Sequence, residues 1–308
     1  AMGLSVTASD LAFPAVIITR AKLTRLAAGD LEKTSNFANK VMLSTDSVPK
    51  TAWKNWQLWY DRRVLRALED LRDAIFSVKE EAFFPHLLCC FFQTTWEVSA
   101  ADRGVIVPTR SQFRRTGPTP TVQDVLNNFK RHVDRILEAQ KALKELGTPM
   151  TKPRVTQCDA LHEKGWPRRP IDVIMTSPPY GCGIDYERAF RLQRRLCDGN
   201  TPKFLPKHAM IGRRFYVTAS QDALPDCWRN SRWYKKLCSS SPRELRMLLQ
   251  YLEDMRNFLK RCSTHLSDEG KLILVVGNPQ IARKRVPLTE LLIEAAKEEG
   301  FCLQGRPL

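Results

Sequence analysis

The residues best suited to chemistry lie in one run, Ser177-Pro178-Pro179-Tyr180. Ser177 supplies a side-chain oxygen, each proline keeps a carbonyl acceptor with no N–H to compete for it, and Tyr180 adds a flat ring with a polar tip. Such acceptors can face the hydrogens of an exocyclic amine while an aromatic face stacks on the heterocycle that bears it, as happens when an enzyme holds a base flipped out of a duplex. The same residues could form a plain proline-rich turn or a polyproline ligand segment. What precedes them favours the first reading. Ile171-Asp172-Val173-Ile174-Met175 reads as a short buried strand, Thr176 and Ser177 close it, and two prolines forbid helical continuation, so the acceptors are expected at a rigid strand end.

The elements around the run read as α/β. Strand-like stretches at 154 to 158, 171 to 176 and 271 to 276 alternate with helical patterns near 186 to 197, 242 to 265 and 287 to 299, which predicts a parallel, doubly wound sheet. Residues 4 to 30 read as strand, acid, then helix, with Pro14 in the helix's first turn. Asp10 and Asp159 each end a strand. Ligands bind at the carboxyl ends of strands in open α/β sheets, so an acid there is a natural acceptor for ribose hydroxyls; Asp10 could equally N-cap the following helix, and Asp159 cap the turn into Leu161-His162. From 51 to 146 the pattern is helical, with one apolar stripe from Val64 through Leu68 and Leu71 to Val78 and a longer one from Val122 through Phe129 to Leu143. Trp53, Trp56, Trp59 and Tyr60 are expected to pack rather than to stack on bases.

Formal net charge is +16 over 308 residues, with pI near 9.6, and this predicts an anionic partner, most simply nucleic acid. Two segments concentrate the charge. Residues 102 to 118 hold four arginines against one acid, with Arg110, Arg114 and Arg115 as candidate phosphate contacts, or else form a solvated connector. Residues 187 to 240 hold twelve lysines and arginines against four acids, interleaved with Phe204, Phe215, Tyr216, Trp228, Trp233 and Tyr234. This is the candidate target-recognition segment, with Arg194, Arg195, Lys207, Arg213 and Arg214 as DNA contacts; a solvated basic face is the alternative. Asp185 and Tyr186 are candidates for the wall of a base pocket, and Tyr186 could instead begin the next helix. Nine cysteines are scattered without Cys-x-x-Cys spacing, which reads as reduced thiols in a cytoplasmic protein with no zinc. The longest apolar run, Phe83 to Phe92, is about half the ~20 residues that span a bilayer, so no membrane segment is expected. Ala1-Met2-Gly3 looks like a tag remnant ahead of a start codon.

Thr176-Ser177-Pro178-Pro179-Tyr180 resembles the catalytic (Ser/Asp)-Pro-Pro-Tyr motif of the DNA amino-methyltransferases, which methylate cytosine N4 or adenine N6 with S-adenosylmethionine. The likeness extends along the chain. Leu4 to Asp10, with Pro14 and Ala21-Lys22, is similar to the family's second cofactor strand, Arg154 to Ala160 to its third, and Lys271 to Asn278 to the strand after the catalytic one. The resemblance implies a Rossmann-like methyltransferase sheet over residues 1–30 and 150–308 with a helical insertion at 31–149. It implies catalytic Ser177, Pro178, Pro179 and Tyr180, and S-adenosylmethionine held by Asp10, Leu11, Asp159, Ala160 and Ser177. The serine form of the motif is closer to the cytosine-N4 enzymes.

One part of the family pattern is missing. Its first motif, a strand ending in a Phe-x-Gly-x-Gly type loop, should precede Leu4, and the sole Gly-x-Gly of the sequence is Gly181-Cys182-Gly183, directly after Tyr180. In the family's strand order that strand is central, so the sheet is expected to be incomplete in this chain. A second polypeptide supplying the glycine-rich motif would complete a split enzyme; a cut chain or a pseudogene product explains the same facts. A non-catalytic DNA-binding or specificity subunit with a degenerate methyltransferase fold is the competing reading, although a pure binding module has no need of Asp10 and Asp159 beside Ser-Pro-Pro-Tyr. Methylation of RNA or of a protein glutamine is a third.

Overall fold

The computed structural model describes residues 4–44, 48–50, 53–102, 104–105, 107–109, 119–146, 154–181, 186–197, 210–211, 226–281 and 283–305. The candidate contacts Arg110, Arg114, Arg115, Lys207, Arg213 and Arg214 lie outside these residues, as do Asp185, Phe204, Phe215 and Tyr216. The chain is mixed α/β and divides into two compact units, Ala1–Gln157 with Tyr186–Phe204, and Cys158–Asp185 with Leu205–Leu308. Among the described residues, no helix is long and apolar enough to cross a membrane.

The first unit is a helical body with one parallel strand pair. Strand β1 (Thr7–Asp10) leads into α1 (Phe13–Leu23), where Pro14 occupies the first turn and costs no intrahelical bond. After α2 (Ala28–Lys40) and a 3₁₀ turn at Trp56–Leu58, three longer helices make the body: α3 (Arg62–Ser77), α4 (Phe84–Glu97) and α5 (Val122–Glu145). Asp61 caps α3 through the Arg63 N–H, and Thr121 with Asp124 forms a capping box at α5. The apolar stripes meet as expected. Leu65, Leu68, Leu71 and Ile75 of α3 pack with Leu87, Leu88 and Phe91 of α4 and with Val125, Phe129 and Val133 of α5, all buried. Trp56, Trp59 and Tyr60 fill the same core, with Trp53 half-buried beside it, and the Tyr60 hydroxyl donates to the Thr95 carbonyl at 3.1 Å. Strand β2 (Arg154–Gln157) pairs in parallel with β1, Thr7 opposite Arg154 and Asp10 opposite Gln157. After the short α6 (Tyr186–Ala189), α7 (Arg191–Cys197) returns to this unit and buries Leu192, Leu196 and Cys197 in its core.

The second unit holds strand β3 (Ile171–Thr176), short helices α8 (Asp226–Arg229) and α9 (Arg232–Ser240), and α10 (Pro242–His265), which passes without a loop into β4 (Leu266–Leu274). A small antiparallel pair, β5 (Gln280–Ile281) and β6 (Lys284–Arg285), precedes α11 (Leu288–Glu298). β3 and β4 are parallel, with Met175 opposite Ile273 and a register shift between Ile171 and Val173. Ile174, Leu272, Leu274 and Val276 turn one face of this pair onto a core built from Leu248, Leu252 and Met255 of α10 and Leu288, Leu291 and Leu292 of α11.

The described strands form separate two-stranded sheets, β1–β2, β3–β4 and β5–β6, so the two parallel pairs share no ladder, in keeping with the expectation of an incomplete sheet. One expectation changes: Ile171–Thr176, read as a buried strand, is covered on one face only. α10 and α11 cover one side, and on the other Val173 and Met175 are 51% and 70% exposed and Ile273 and Val275 are 41% and 53% exposed.

Gly270 stands within β4, where the register to β3 shifts, and has no room for a side chain. A Cβ there would stand 2.8 Å from the Ser267 carbonyl oxygen and 3.1 Å from that of Ile171, both backbone atoms that cannot swing aside. Gly270→Ala should therefore destabilise the chain by about 1–3 kcal/mol. In contrast, Gly29→Ala in α2, where a Cβ meets nothing within 4 Å, should be neutral or slightly stabilising. Urea denaturation of the two variants beside the wild type checks the contrast.

Candidate functional site

The Ser177-Pro178-Pro179-Tyr180 run leaves β3 at its carboxyl end, where the ladder to β4 continues one rung past the strand: the Val275 N–H donates to the Thr176 carbonyl at 3.0 Å. Ser177 is exposed, Pro178 is buried and Pro179 and Tyr180 are half-buried, so the proline pair is seated in the unit rather than standing in solvent. The Ser177 Oγ lies 3.2 Å from the Val275 carbonyl, to which it donates, and 2.9 Å from the Tyr180 hydroxyl. With the tyrosine O–H as donor to Oγ, the serine oxygen keeps one lone pair for a ligand N–H. The loop closes at once. The Gly181 N–H donates to the Pro179 carbonyl at 3.0 Å, with Gly181 at φ +58°, a conformation glycine adopts at no steric cost. The sequence reading left both proline carbonyls free; the structure engages that of Pro179, and the Pro178 carbonyl accepts no hydrogen bond from the described residues.

A second loop, residues 275 to 279, runs beside the first. A Cβ on Gly181 would lie 3.4 Å from Pro279 and 3.9 Å from Leu288, so the two loops and the start of α11 are packed together. Asn278 anchors this corner. Its Oδ1 accepts the Thr289 N–H at 2.9 Å and the Thr289 hydroxyl at 3.0 Å. Neither Asn278 nor Val275 was singled out by the sequence reading as support for Ser177. A usable signal existed for Asn278: α11 starts at Pro287-Leu288-Thr289 with no side-chain cap of its own, so its first N–H groups needed an acceptor from elsewhere.

The strand-end acids both make turns. In the first unit, Asp10 Oδ1 accepts the Ala12 N–H at 2.7 Å, and the neighbouring Leu11 carbonyl accepts from Gln157 Nε2 at 3.0 Å across the end of β1–β2. In the second unit, Asp159 Oδ1 accepts the Leu161 N–H at 2.9 Å, with His162 Nε2 at 3.6 Å from Oδ2, while the Ala160 carbonyl accepts from the Trp166 indole at 3.1 Å. Asp159 thus caps its turn as weighed, whereas Asp10 closes a turn ahead of α1 and is not its N-cap, a position held by Ala12 without a side-chain cap. Asp10 is open to solvent on one side, yet protein packed about its carboxyl raises its pKa above the ordinary aspartate value, against the lowering effect of the Ala12 and Leu11 N–H groups.

Of the segment 187 to 240, only residues 187 to 197, 210, 211 and 226 to 240 are among those described. On α7, Arg195 is exposed and Arg194 half-buried, while Arg191 lies over the Trp59 ring at 4.8 Å and the helix's apolar side is core. Tyr234 is buried in the core of the second unit, Trp228 and Trp233 pack against that core, and the Trp228 indole N–H donates to Glu294. These three aromatics hold helices in place, because a large ring beside an apolar helix gains more from burial than from water. Compared with protein-family models, with curated proteins and with solved structures, the chain finds no match in any of the three.

The raised pKa of Asp10 sets a pH dependence of determined sign. The folded chain holds this proton more tightly than the unfolded chain does, so the carboxyl costs nothing below the unfolded value and an increasing penalty as pH rises through the folded value. Asp10→Asn keeps an acceptor for the Ala12 N–H and cannot ionise. Relative to the wild type it should gain stability at pH 7 and lose that gain below about pH 4. Urea midpoints measured across that range test it, and a variant less stable than wild type at pH 7 contradicts it.

Proposed function

We propose that the chain is part of an S-adenosylmethionine-dependent DNA methyltransferase with a doubly wound, Rossmann-like sheet. It methylates an exocyclic amine, cytosine N4 in preference to adenine N6, together with a second polypeptide that supplies the glycine-rich motif. The observation that carries this reading is the end of β3: a serine oxygen with one acceptor position left, a proline carbonyl beside it and a tyrosine tied to the serine, all at the carboxyl end of a parallel strand. The basic composition supports an anionic nucleic-acid partner.

Ser177 Oγ and the Pro178 carbonyl accept the two amine hydrogens, which turns the nitrogen lone pair outward and disperses the positive charge that grows on nitrogen as its new bond forms. The Tyr180 ring stacks on the base. Its hydroxyl, hydrogen-bonded to Ser177, sets the ring beside the acceptor. Bound S-adenosylmethionine would supply an electrophilic methyl group, its S–C bond breaking to leave a neutral thioether, and the methylated nitrogen would return to neutrality by giving one proton to solvent. Asp10 with Leu11, and Asp159 with Ala160, fit the ribose and adenine of that cofactor in chemistry, since each acid ends or closely follows a parallel strand and has a second carboxylate oxygen beyond the one its turn uses. No residues of the sequence supply a glycine loop for the methionine portion.

A second reading has its own observation. Because Asp10 and Asp159 both serve their own turns, a DNA-binding subunit that kept the fold without the cofactor would retain them for local structure alone.

Labelled methyl transfer into duplex DNA, with the product digested to nucleosides, separates the two. Ser177→Ala should lower turnover about 10- to 100-fold, as expected for losing one hydrogen bond to a charged centre, while DNA affinity holds. Tyr180→Ala should weaken base capture by about 1–3 kcal/mol. Equal methylation by wild type and both variants sinks the assignment. DNA binding that never leads to labelled product, with or without a glycine-rich partner, establishes the second reading instead.

A further inference from the structure

Parallel strands are ordinarily covered on both faces. In the β3–β4 pair one face lies on α10 and α11, and the other presents Val173 and Met175 beside Ile273 and Val275 in two adjacent rows, with Ser177 continuing the first row and Lys271 opposite Val173. Among the described residues β3 pairs with β4 alone, so the far edge of β3 has backbone groups without a ladder partner. Edge and face together specify what fits. A strand laid parallel to β3 continues the ladder. Parallel connections are right-handed, and α10 takes one face in the crossover from β3 to β4, so a helix that runs into the new strand from the β4 side lies over β3 and β4 on the opposite face. That is the face carrying the four apolar side chains.

We infer that the free edge of β3 and the face formed by Val173, Met175, Ile273 and Val275 are the docking surface for a helix–strand unit of a second polypeptide. The strand adds parallel to β3, the helix lays its apolar stripe on the four side chains, and acidic residues on that helix's flank face Lys271. Charge selects the partner as well. A chain of net charge +16 repels its own copies and attracts an acidic surface, so an acidic second chain fits where a second copy does not. The inference rests on the second-polypeptide part of the reading above and not on methyl transfer.

The test uses the full chain and a synthetic peptide of about 30 residues, with an amphipathic helix bearing Glu on its flank, a glycine-containing turn and then a Val/Ile-rich strand. Calorimetric titration should show one-to-one binding, and hydrogen exchange should slow at the amides of Ile171 to Thr176. Met175→Glu and Ile273→Glu should each bind at least ~10-fold more weakly, because each buries a charge without a partner, and both should melt as the wild type does. Three results overturn the inference: variants that melt several degrees lower, which means the chain already fills this face itself; a wild-type dimer in sedimentation that the variants lose, which makes a second copy the occupant; or a peptide that leaves β3 exchange unchanged. Peptide binding without any methyl transfer counts against the proposed chemistry alone.

Discussion

Ser177 can present an acceptor only because the backbone on either side of it is already bonded: Val275 donates to Thr176 and then receives the serine hydroxyl, so the last rung of the β3–β4 ladder and the first side chain beyond it share one residue. Everything at the site follows from that rung. The two prolines carry the chain away from the strand without a donor that could compete for the same carbonyls, and Gly181 turns it back within one residue by taking up a positive φ. β4 in turn has no loop to adjust its position, since α10 runs directly into it, and Gly270 inside the strand admits the close approach of the Ile171 carbonyl. A long helix anchored by Leu248, Tyr251, Leu252 and Met255 thus fixes, through one strand, where a serine oxygen stands.

The first unit solves a different problem, that of closing a helical core with short elements. α7 is seven residues long and too short to be stable alone, yet it buries Leu192 and Leu196, and the buried Arg72 guanidinium takes the Leu196 carbonyl at 2.9 Å near its end. Arg72 is tolerable there because Asp73 pairs with it at 2.7 Å, so neither the charge nor the orphan carbonyl is left without a partner. Basic residues that look like a nucleic-acid surface when read along the sequence are in this way partly structural: Arg191 rests on Trp59, and the arginines next to it ride on a core helix.

Much of the fold was legible because its signals are local. Ile171–Thr176 stood out as a β-branched run stopped by prolines, Pro242–His265 as a long amphipathic helix, and the stripe from Val64 to Ile75 as a core face, and the structure places each as one element. What could not be read was which sides of those elements are covered. A run such as Ile-Asp-Val-Ile-Met is apolar enough for burial on both faces, and periodicity within it cannot tell a strand between two layers from one with a single helical layer. The aromatics near 228 to 234 were ambiguous for a related reason. Their residue types suit base stacking and packing equally, and only the neighbouring Leu237, Leu245 and Leu248, brought together in space, decide for packing. At the site itself the residue types were readable but their bonds were not, because the partner of Ser177 lies 98 positions away at Val275.

Two-stranded sheets are marginal by themselves, and here each parallel pair draws its stability from helices on one side. For β1–β2 that helix is α1, whose Val16 and Ile17 are buried and whose Arg20 donates to the Val155 carbonyl at 3.0 Å. For β3–β4 it is α10 and α11 together. A pair held from one side can persist with its other side wet, but leaving four large apolar side chains in water gives up roughly 1.5–3 kcal/mol for each that burial would otherwise contribute. Sequences under selection only for the stability of such a unit would place Thr, Lys or Glu at those positions, as antiparallel sheets with one wet face do. That Val, Met, Ile and Val stand there instead argues that the wet state is not the working state of this face.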